Sequence, residues 1–445
     1  MCGTSLNNPN AEFLTPYTEA LFPYIRERFG VELEDFLPEL FLCKKGEDIS
    51  RIKWIYMEVL TSLFCENFLR QIYEWCEENH MLFTGHLLHE DTLTAQASMM
   101  GSLMRGYAFF HYPGIDILGG KNQAYWVVKQ LTSVARQLGK QKILSELYGC
   151  TGWHMNFQQY KEVGDWQALM GINLRCQHLS WYTMEGENKR DYPASISLQS
   201  AWYRDYEYLE TYFSRLHVFL EGDDACDVLV INPIESIWCE IEPGWSYFLE
   251  ATGERAKQTE RKYRDFFYLL YHQHIPFDYA DEALLLQHGA VEKTKDGVFL
   301  RLGRCYYQTV LIHGLLTIRQ STLDLLREFV LSGGNVIFVD EYPSFIDAQH
   351  EFSLPAAFRH CTSEQLSEIL HANIPAEITD NLTGKIAEQI FVTVKRVFKN
   401  QTRFMLLNMD TSASTRQYTV SLPYIGRVER WDPRTGRRED VLSFF

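Results

Sequence analysis

The sequence lacks any run of about 20 consecutive apolar residues, which is the length that a transmembrane helix requires. Its first eight residues, 1–8, contain neither the basic segment nor the apolar segment of a signal peptide. Positive charge is also scarce, because 42 basic residues face 58 acidic ones and the net charge is −16. A chain of this charge repels phosphate backbones and anionic lipids. We therefore expect a cytoplasmic protein that binds neither nucleic acid nor membrane.

Sequence motifs of several common enzyme classes are missing. No G-x-G-x-x-G follows a strand, and neither a G-x-x-x-x-G-K-[ST] loop nor a G-x-S-x-G turn occurs. Dinucleotide, P-loop and serine-hydrolase sites therefore lose their usual support. The 10 cysteines form no C-x-x-C pair and no Cys/His cluster at zinc spacing. We expect reduced, mostly buried thiols, no metal site and no cofactor, with calcium left open as a ligand of strand-end oxygens.

The composition is that of a folded globular protein. Hydrophobic residues make up 46% of the chain and charged residues 22%. A length of 445 residues suggests roughly three domains at about 150 residues each. Aromatic residues reach 14%, a high share that either fills a large core or supplies platforms for sugar rings.

The pattern along the chain predicts three regions. Residues 11–80 have helical periodicity, and four short apolar segments, each followed by polar residues, then alternate with helices in the first region, 1–220. These four predicted strands are 81–85, 114–118, 142–146 and 171–182. Such alternation indicates a parallel α/β arrangement whose polar residues gather at the carboxyl ends of the strands.

A charged linker, 221–224, precedes the second region, 221–380. That region has buried-strand runs at 227–231, 309–312 and 335–340, with an amphipathic helix at 321–331, and this pattern predicts a doubly wound α/β sheet. The third region, 381–445, alternates apolar and polar residues in its predicted strands, and this alternation predicts the start of a β-sandwich.

Candidate catalytic groups lie at the predicted strand ends. Glu146 follows an apolar run, where a carboxylate either faces a substrate or caps the next helix. His86, His89, Glu90 and Asp91 follow the first predicted strand and offer acid, base, hydroxyl-binding or metal-binding groups. The alternative is that Asp91 begins a helix with Glu90 interacting with the helix dipole.

Aromatic residues accompany these polar groups. His178, Trp181 and Tyr182 follow the fourth predicted strand, and the segment 189–193 with Arg190 comes shortly afterwards. Aromatic faces beside hydrogen-bonding groups suit a pyranose ring. Glycoside hydrolysis requires two carboxyl groups, which the strand ends could provide.

The segments 83–91, 145–153 and 189–193 resemble bacterial glycoside hydrolases related to the α-L-rhamnosidases of family 106. The resemblance implies an α/β fold made of the C-terminal half of a (β/α)8 TIM barrel, then a flavodoxin-like or class I amidotransferase-like doubly wound domain, and then the beginning of a β-sandwich. It implies a hydrolase acting on O-glycosidic bonds of an oligosaccharide or glycoside.

The same resemblance assigns roles to residues. Glu146, after the seventh barrel strand, is expected to be the general base or nucleophile, while residues 85–86, Asp116 and His178 correspond to the ends of the fifth, sixth and eighth strands. The substrate-binding residues implied are His86, His89, Asp91, Asp116, Trp153, His178, Trp181, Tyr182 and Arg190.

The chain differs from the family in lacking a counterpart of the general acid. The family carries this acid on the fourth strand, upstream of where the resemblance begins, so either four strands are missing or Glu90 or Asp91 substitutes. Half a barrel leaves two open sheet edges, so we favour truncation. We expect little or no hydrolase activity from this chain alone. An inactive carbohydrate-binding remnant, a fragment that pairs with a separate N-terminal half, and a homo-oligomer stay open.

Overall fold

The computed structural model describes residues 15–41, 49–190, 196–241, 253–353, 357–397, 401–410 and 415–441. The helices are α1 (Leu21–Phe29), α2 (Leu37–Phe41), α3 (Arg51–Phe64), α4 (Arg70–Glu78), α5 (Leu93–Met99), α6 (Leu103–Tyr107), α7 (Tyr125–Gln137), α8 (Phe157–Leu169), α9 (Glu207–Phe219), α10 (Ile234–Glu240), α11 (Glu254–His272), α12 (Glu282–His288), α13 (Gln320–Leu331) and α14 (Ser363–Ile369). One turn of π-helix, Cys65–Leu69, joins α3 to α4. The predicted helical character of the N-terminal 80 residues is therefore observed wherever that segment is described.

The first sheet has four parallel strands in the order β1-β2-β3-β4. These strands are β1 (Thr84–Gly85), β2 (Tyr112–Ile117), β3 (Leu144–Leu147) and β4 (Leu174–Gln177). Helices lie between consecutive strands, as in half of a TIM barrel. The predicted parallel α/β arrangement is confirmed, although the first strand is shorter than the predicted 81–85.

Local sequence explains how the helices next to this sheet begin. The Asn156 side chain accepts a hydrogen bond from the Gln159 backbone at 3.0 Å, and the Gln159 side chain accepts one from the Asn156 backbone at 2.9 Å. This capping box starts α8, which then buries Val163, Trp166 and Leu169. The capping box thereby sets where the helix begins, and the buried side chains join the main hydrophobic cluster.

A second sheet has five parallel strands. It contains β6 (Val228–Ile231), β7 (Phe277–Ala280), β11 (Thr309–Ile312), β13 (Asn335–Val339) and β16 (Arg359–Cys361). Their spatial order is β7-β6-β11-β13-β16, which is the doubly wound order 2-1-3-4-5. The doubly wound sheet predicted for this region is therefore present, while its amidotransferase-like character stays a prediction.

Smaller sheets complete the described fold. Their strands are β5 (Asp223–Asp224), β8 (Gly289–Thr294), β9 (Gly297–Leu302), β10 (Cys305–Tyr307), β12 (Thr317–Ile318), β14 (Phe345–Ile346), β15 (His350–Glu351), β17 (Glu377–Asp380), β18 (Ile390–Val397), β19 (Gln401–Asn408), β20 (Tyr418–Ser421), β21 (Glu429–Asp432) and β22 (Arg437–Asp440). Strand β5, inside the predicted linker, pairs with β18, so this segment is part of a sheet. The C-terminal strands form sheets of three, two and two strands, and the predicted sandwich stays a prediction.

The two α/β regions share one hydrophobic cluster, and the second region also has a cluster of its own. The largest buried cluster includes Ile115 and Leu131 of the first region together with Val228 and Leu311 of the second. It also reaches Phe391 of β18. This cluster crosses the predicted boundaries near residues 220 and 380, which stay predictions.

Five buried charged residues join the same two regions. They are Glu58, Arg105, Glu235, Asp281 and Arg319, and we call them the interface cluster. Arg105 donates to Glu58 and to Glu235, each at 2.6 Å, and to Asp281 at 3.0 Å. The cluster lies between α3, α6 and α10 and the residues that precede α12 and α13. This network links the half-barrel to the second sheet.

The described helices include none that combines the length and the apolar character needed to cross a lipid bilayer.

Candidate active site

The site is built on neighbouring strands of the half-barrel. Asp116 of β2 and Glu146 of β3 are partners in the parallel register, and Glu146 is in turn the partner of Cys176 on β4. Residues in register on parallel strands point to the same face of a sheet. His86 immediately follows β1. The strand ends therefore bring together one histidine and two carboxylates.

The distances confirm that these side chains converge. His86 Nε2 lies 2.9 Å from Glu146 Oε2. A nitrogen of His86, an oxygen of Asp116 and an oxygen of Glu146 lie within 4.8 Å of one another. We call these three residues the carboxylate cluster. His178 Nε2 lies 3.7 Å from Glu146 Oε1, so this histidine adjoins the cluster without a hydrogen bond.

Electrostatics around His86 favour its charged form. Burial lowers the pKa of His86, but the hydrogen bond to the Leu87 carbonyl and the charges of Glu90, Asp116 and Glu146 outweigh burial and raise it overall. The Nδ1 atom of His86 lies 2.7 Å from the Leu87 carbonyl oxygen, and Nε2 lies against Glu146 Oε2. Both ring nitrogens therefore face hydrogen-bond acceptors. An imidazolium that donates from both nitrogens satisfies both contacts.

The surroundings of Asp116, in contrast, disfavour its charged form. Burial and the nearby charge of Glu146 raise the pKa of Asp116. Its Oδ1 atom is buried and has no hydrogen-bond partner among the described residues. The cluster therefore contains one carboxylate oxygen whose charge is poorly compensated.

Glu90, which the sequence predicts as a substitute acid, lies behind this cluster. It is only 4% exposed, and burial raises the pKa of its carboxyl group to about 8. Its oxygens accept hydrogen bonds from the Leu87 backbone at 3.2 Å, the Tyr107 hydroxyl at 2.9 Å and the Asp116 backbone at 3.0 Å. Glu90 thus fixes the main chain at Leu87, next to His86, and at Asp116. Its predicted catalytic role stays a prediction.

The loops after β3 and β4 place two tryptophans together. The rings of Trp153 and Trp181 are stacked, with centroids 4.9 Å apart and an interplanar angle of 10°. The Trp181 Nε1 donates to the Asn188 carbonyl at 2.7 Å, which holds its ring in place. Trp153 is 42% exposed and offers the accessible aromatic surface of the pair. Tyr182, also predicted to bind substrate, is fully exposed.

The remaining predicted site residues lie on the surface. His89 is exposed and has a positive φ of 53°. Asp91 is exposed, and its Oδ1 accepts a 3.4 Å contact from Asn122. The helix that follows is capped by Thr92 rather than by Asp91. Arg190 forms an exposed ion pair with Glu187 at 2.7 Å. The rest of the 189–193 motif from residue 191 onward lies outside the described residues.

Two features of the site were missed by the sequence interpretation. Cys176 is exposed beside Glu146 on the same face, but a lone cysteine in the segment 171–182 gave no signal. The turn after Glu146 contains two non-glycine residues at positive φ, Tyr148 at 69° and Cys150 at 58°. Such conformations are costly and concentrate at functional sites.

The carboxylate cluster is a set of donors that could hold a metal ion. Calcium prefers six to eight oxygen ligands, whereas this set supplies one imidazole nitrogen and two carboxylates. The donors fit calcium poorly, and no step of the reaction below uses it.

Comparison with known proteins gives fold information only. No protein-family model matches the sequence, and no curated protein matches it. Among solved structures, a rhamnosidase from Novosphingobium sp. PP1Y is similar over 96% of this chain, with a TM-score of 0.71 and 16% identity. An exo-carrageenase GH42 from Bacteroides ovatus is similar over 95%, with a TM-score of 0.63 and 10% identity.

Gan42B, a GH42 β-galactosidase from G. stearothermophilus, is similar over 95% of the chain, with a TM-score of 0.63 and 10% identity. The chain spans 41% of the length of the rhamnosidase, 61% of the exo-carrageenase and 73% of Gan42B. The fold is therefore one that glycoside hydrolases have, and the match covers only part of each enzyme.

Proposed function

We propose that this chain carries part of the catalytic centre of a glycoside hydrolase, with Glu146 as general base. The observation that carries the proposal is the position of Glu146. Its side chain is 24% exposed at the carboxyl end of a parallel strand, with His86 on one side and His178 on the other. In barrels of this kind, strand ends of that edge hold the reacting groups. The shared fold with glycoside hydrolases supports the assignment.

The geometry assigns different tasks to the two oxygens of Glu146. Oε2 accepts the hydrogen bond of His86, which keeps the carboxylate oriented. Oε1 is 3.7 Å from His178, a separation that leaves room for it to accept a proton from a water molecule. The oxygen of that water then attacks the anomeric carbon, the glycosidic bond breaks, and the leaving oxygen takes a proton from an acid.

Asp116 does not fit the role of that acid. Paired catalytic carboxyl groups are about 5–5.5 Å apart in retaining enzymes and about 6.5–9.5 Å apart in inverting ones. Asp116 and Glu146 are register partners on adjacent strands with oxygens within 4.8 Å of each other, so Asp116 lies beside the proposed base rather than across a substrate from it. We infer that the acid lies outside the carboxylate cluster and that Asp116 holds a substrate hydroxyl or the water.

The substrate class follows from the tryptophan pair. The exposed face of Trp153 gives a sugar ring an apolar surface, as aromatic residues do in carbohydrate sites. The rhamnosidase has the highest TM-score of the three structures described, so α-L-rhamnosides, as in a family 106 enzyme, are the first substrates to test. Tyr182 and Arg190 would contact the part of the substrate that lies farther out.

The test uses two substrates, so that the contribution of the base is measured independently of the missing acid. Dinitrophenyl α-L-rhamnoside has a leaving group that departs without protonation, whereas methyl α-L-rhamnoside needs an acid. We expect the purified chain to hydrolyse the first slowly and the second not at all. Glu146→Gln should lower the rate by about 10²-fold or more, because a positioned base contributes that much.

A matched control changes a carboxylate to an amide elsewhere. Glu187→Gln alters an exposed side chain at the rim and should leave the rate unchanged. Equal rates for wild-type protein and Glu146→Gln would refute the assignment of the base. Hydrolysis of the methyl glycoside would show that an acid is present within the chain.

A second candidate is sugar binding without turnover. It is favoured by the short separation of the two carboxylates together with the stacked Trp153–Trp181 pair. Rhamnose binding that survives Glu146→Gln and is lost in Trp153→Ala, with no hydrolysis of either glycoside, would support this candidate over the first.

A further inference from the structure

We propose that His86, Asp116 and Glu146 form a binding site for a divalent transition-metal ion, with Zn²⁺ as the probe. Three donor atoms from three neighbouring strand ends lie within 4.8 Å of one another. They belong to side chains with fixed backbone positions, because Glu90 holds the main chain at Leu87 and Asp116. The main chain is therefore held in place, and the side chains alone have to close in around an ion from separations of up to 4.8 Å.

The distances suit a small ion. Zinc binds nitrogen and carboxylate oxygen at about 2.0–2.2 Å, which places tetrahedral ligand atoms roughly 3.3 Å apart. His86 Nε2 and Glu146 Oε2 are 2.9 Å apart. They need to separate by only a few tenths of an ångström. The metal would occupy the position of the proton that these two atoms share.

The unpartnered oxygen of Asp116 is an independent observation that points to a cation. A buried carboxylate oxygen without a hydrogen bond is costly, and native proteins seldom leave one unsatisfied. Asp116 Oδ1 has no partner among the described residues, and none of the described ion pairs joins an Arg or Lys to Asp116 or Glu146. A bound cation would give this oxygen a partner.

The donor types select the ion. An imidazole nitrogen with carboxylates favours zinc and its neighbours over calcium and magnesium, which prefer oxygen ligands. Three protein ligands leave a fourth position of a tetrahedral ion for water. Cys176 lies beside Glu146, but its sulfur is not among the three converging donors.

Metal binding would change what Glu146 can do. A carboxylate that coordinates Zn²⁺ no longer accepts a proton from water, so the ion should inhibit hydrolysis. This inhibition rests on the proposed function, whereas the binding site does not. Failure of the metal-site proposal can therefore be distinguished from failure of the proposed function.

The experiment is calorimetric titration of Zn²⁺ into the full chain after treatment with a chelator. We expect one saturable site, with Ca²⁺ binding far more weakly. Affinity should fall by about tenfold or more in His86→Ala and in Glu146→Gln. The control His154→Ala removes an exposed histidine on the loop after β3 and should leave the affinity unchanged.

Two further measurements remove ambiguity. Zn²⁺ should raise the melting temperature of wild-type protein and not that of either ligand variant, which also reports whether the variants are folded. Bound Co²⁺ should show a d–d spectrum without a thiolate charge-transfer band. Absence of saturable binding, equal affinity in all variants, or a thiolate band lost in Cys176→Ser would overturn the proposal. Zinc binding by a chain that, when free of metal, does not hydrolyse even the dinitrophenyl glycoside would retain the site and refute Glu146 as the base.

Discussion

Two clusters of charged residues in this protein have opposite organisation. In the interface cluster, two arginines lie among three carboxylates, and every member is at least 90% buried. In the carboxylate cluster, a histidine lies beside two partly buried acids, and one acid oxygen has no partner among the described residues. The first cluster joins two regions of the fold, whereas the second lies at an accessible strand edge.

The electrostatic consequences differ accordingly. Burial alone would raise the pKa of Glu58, but the charges of Arg105 and Arg319 lower it well below its usual range. Burial and Glu146 together raise the pKa of Asp116, and the smaller opposing effects of His86 and His178 do not reverse this. Compensated charges fix a structure, and uncompensated ones are available to a substrate, a water molecule or a metal ion.

The largest effect is expected from breaking the interface cluster at its centre. Arg105→Met removes the cation shared by Glu58, Glu235 and Asp281 and leaves these carboxylates buried without it. Removing one partner of a buried pair typically costs about 3–5 kcal/mol. We expect a loss of that size in the free energy of unfolding, measured by urea denaturation.

Arg26→Met is the matched control, because Arg26 pairs with Glu32 at the surface with both side chains about half exposed. It should cause no measurable loss of stability, since exposed pairs contribute little. If Arg105→Met were as mild as this control, the interface cluster would not be what holds the two regions together.

A smaller effect is expected from pH, through Glu90. Its pKa of about 8 in the folded protein is above the ordinary value of 4.5, because burial disfavours the charged form. A raised pKa means that stability is fully present below the unfolded pKa and is lost as pH rises through the folded one. The stability should therefore fall between about pH 5 and pH 8, by up to about 1.4 kcal/mol per pH unit for this group.

The variant Glu90→Gln should remove that share of the pH dependence while keeping the side chain's shape. Chemical denaturation at several pH values measures the slope for both proteins. Parallel slopes would show that Glu90 is ionised in the folded protein and that its three hydrogen bonds outweigh the cost of burial.

The carboxylate cluster could be anticipated from sequence because its residues follow regular strands. An apolar run followed by a polar residue marked Glu146, the family resemblance marked Asp116, and a parallel sheet aligns such strand ends. The sequence could not show that Glu90 turns inward while His86 turns outward, because both occupy a loop without periodicity.

The interface cluster could not be anticipated at all. Glu58 in α3 and Arg319, just before α13, are separated by 261 positions, and charged residues of such segments are normally exposed to solvent. Strand β7 and the hairpins of β8–β10 were also missed, because their packing depends on partners distant in sequence. Likewise, the pairing of Asp223–Asp224 with β18 turned a predicted linker into a strand.

A still smaller change in stability is expected for Glu146→Gln. The Glu146 side chain is partly exposed. Replacing its carboxylate with a neutral amide relieves the repulsion that raises the pKa of Asp116. The lost hydrogen bond to His86 offsets that gain, so the free energy of unfolding should change by less than about 1 kcal/mol. A loss as large as that expected for Arg105→Met would place Glu146 among the structural charges, and its effect on hydrolysis could not then be assigned to chemistry.

The smallest effect is expected for Arg190→Ala. Arg190 and Glu187 are 74% and 78% exposed, so their ion pair is screened by solvent and the melting temperature should not change. Because the melting temperature should not change, any change in rhamnoside binding by this variant reports on the predicted substrate contact. Weaker rhamnoside binding by a protein of unchanged stability would place Arg190 at the substrate, whereas unchanged binding would confine recognition to the tryptophan pair and the carboxylate cluster.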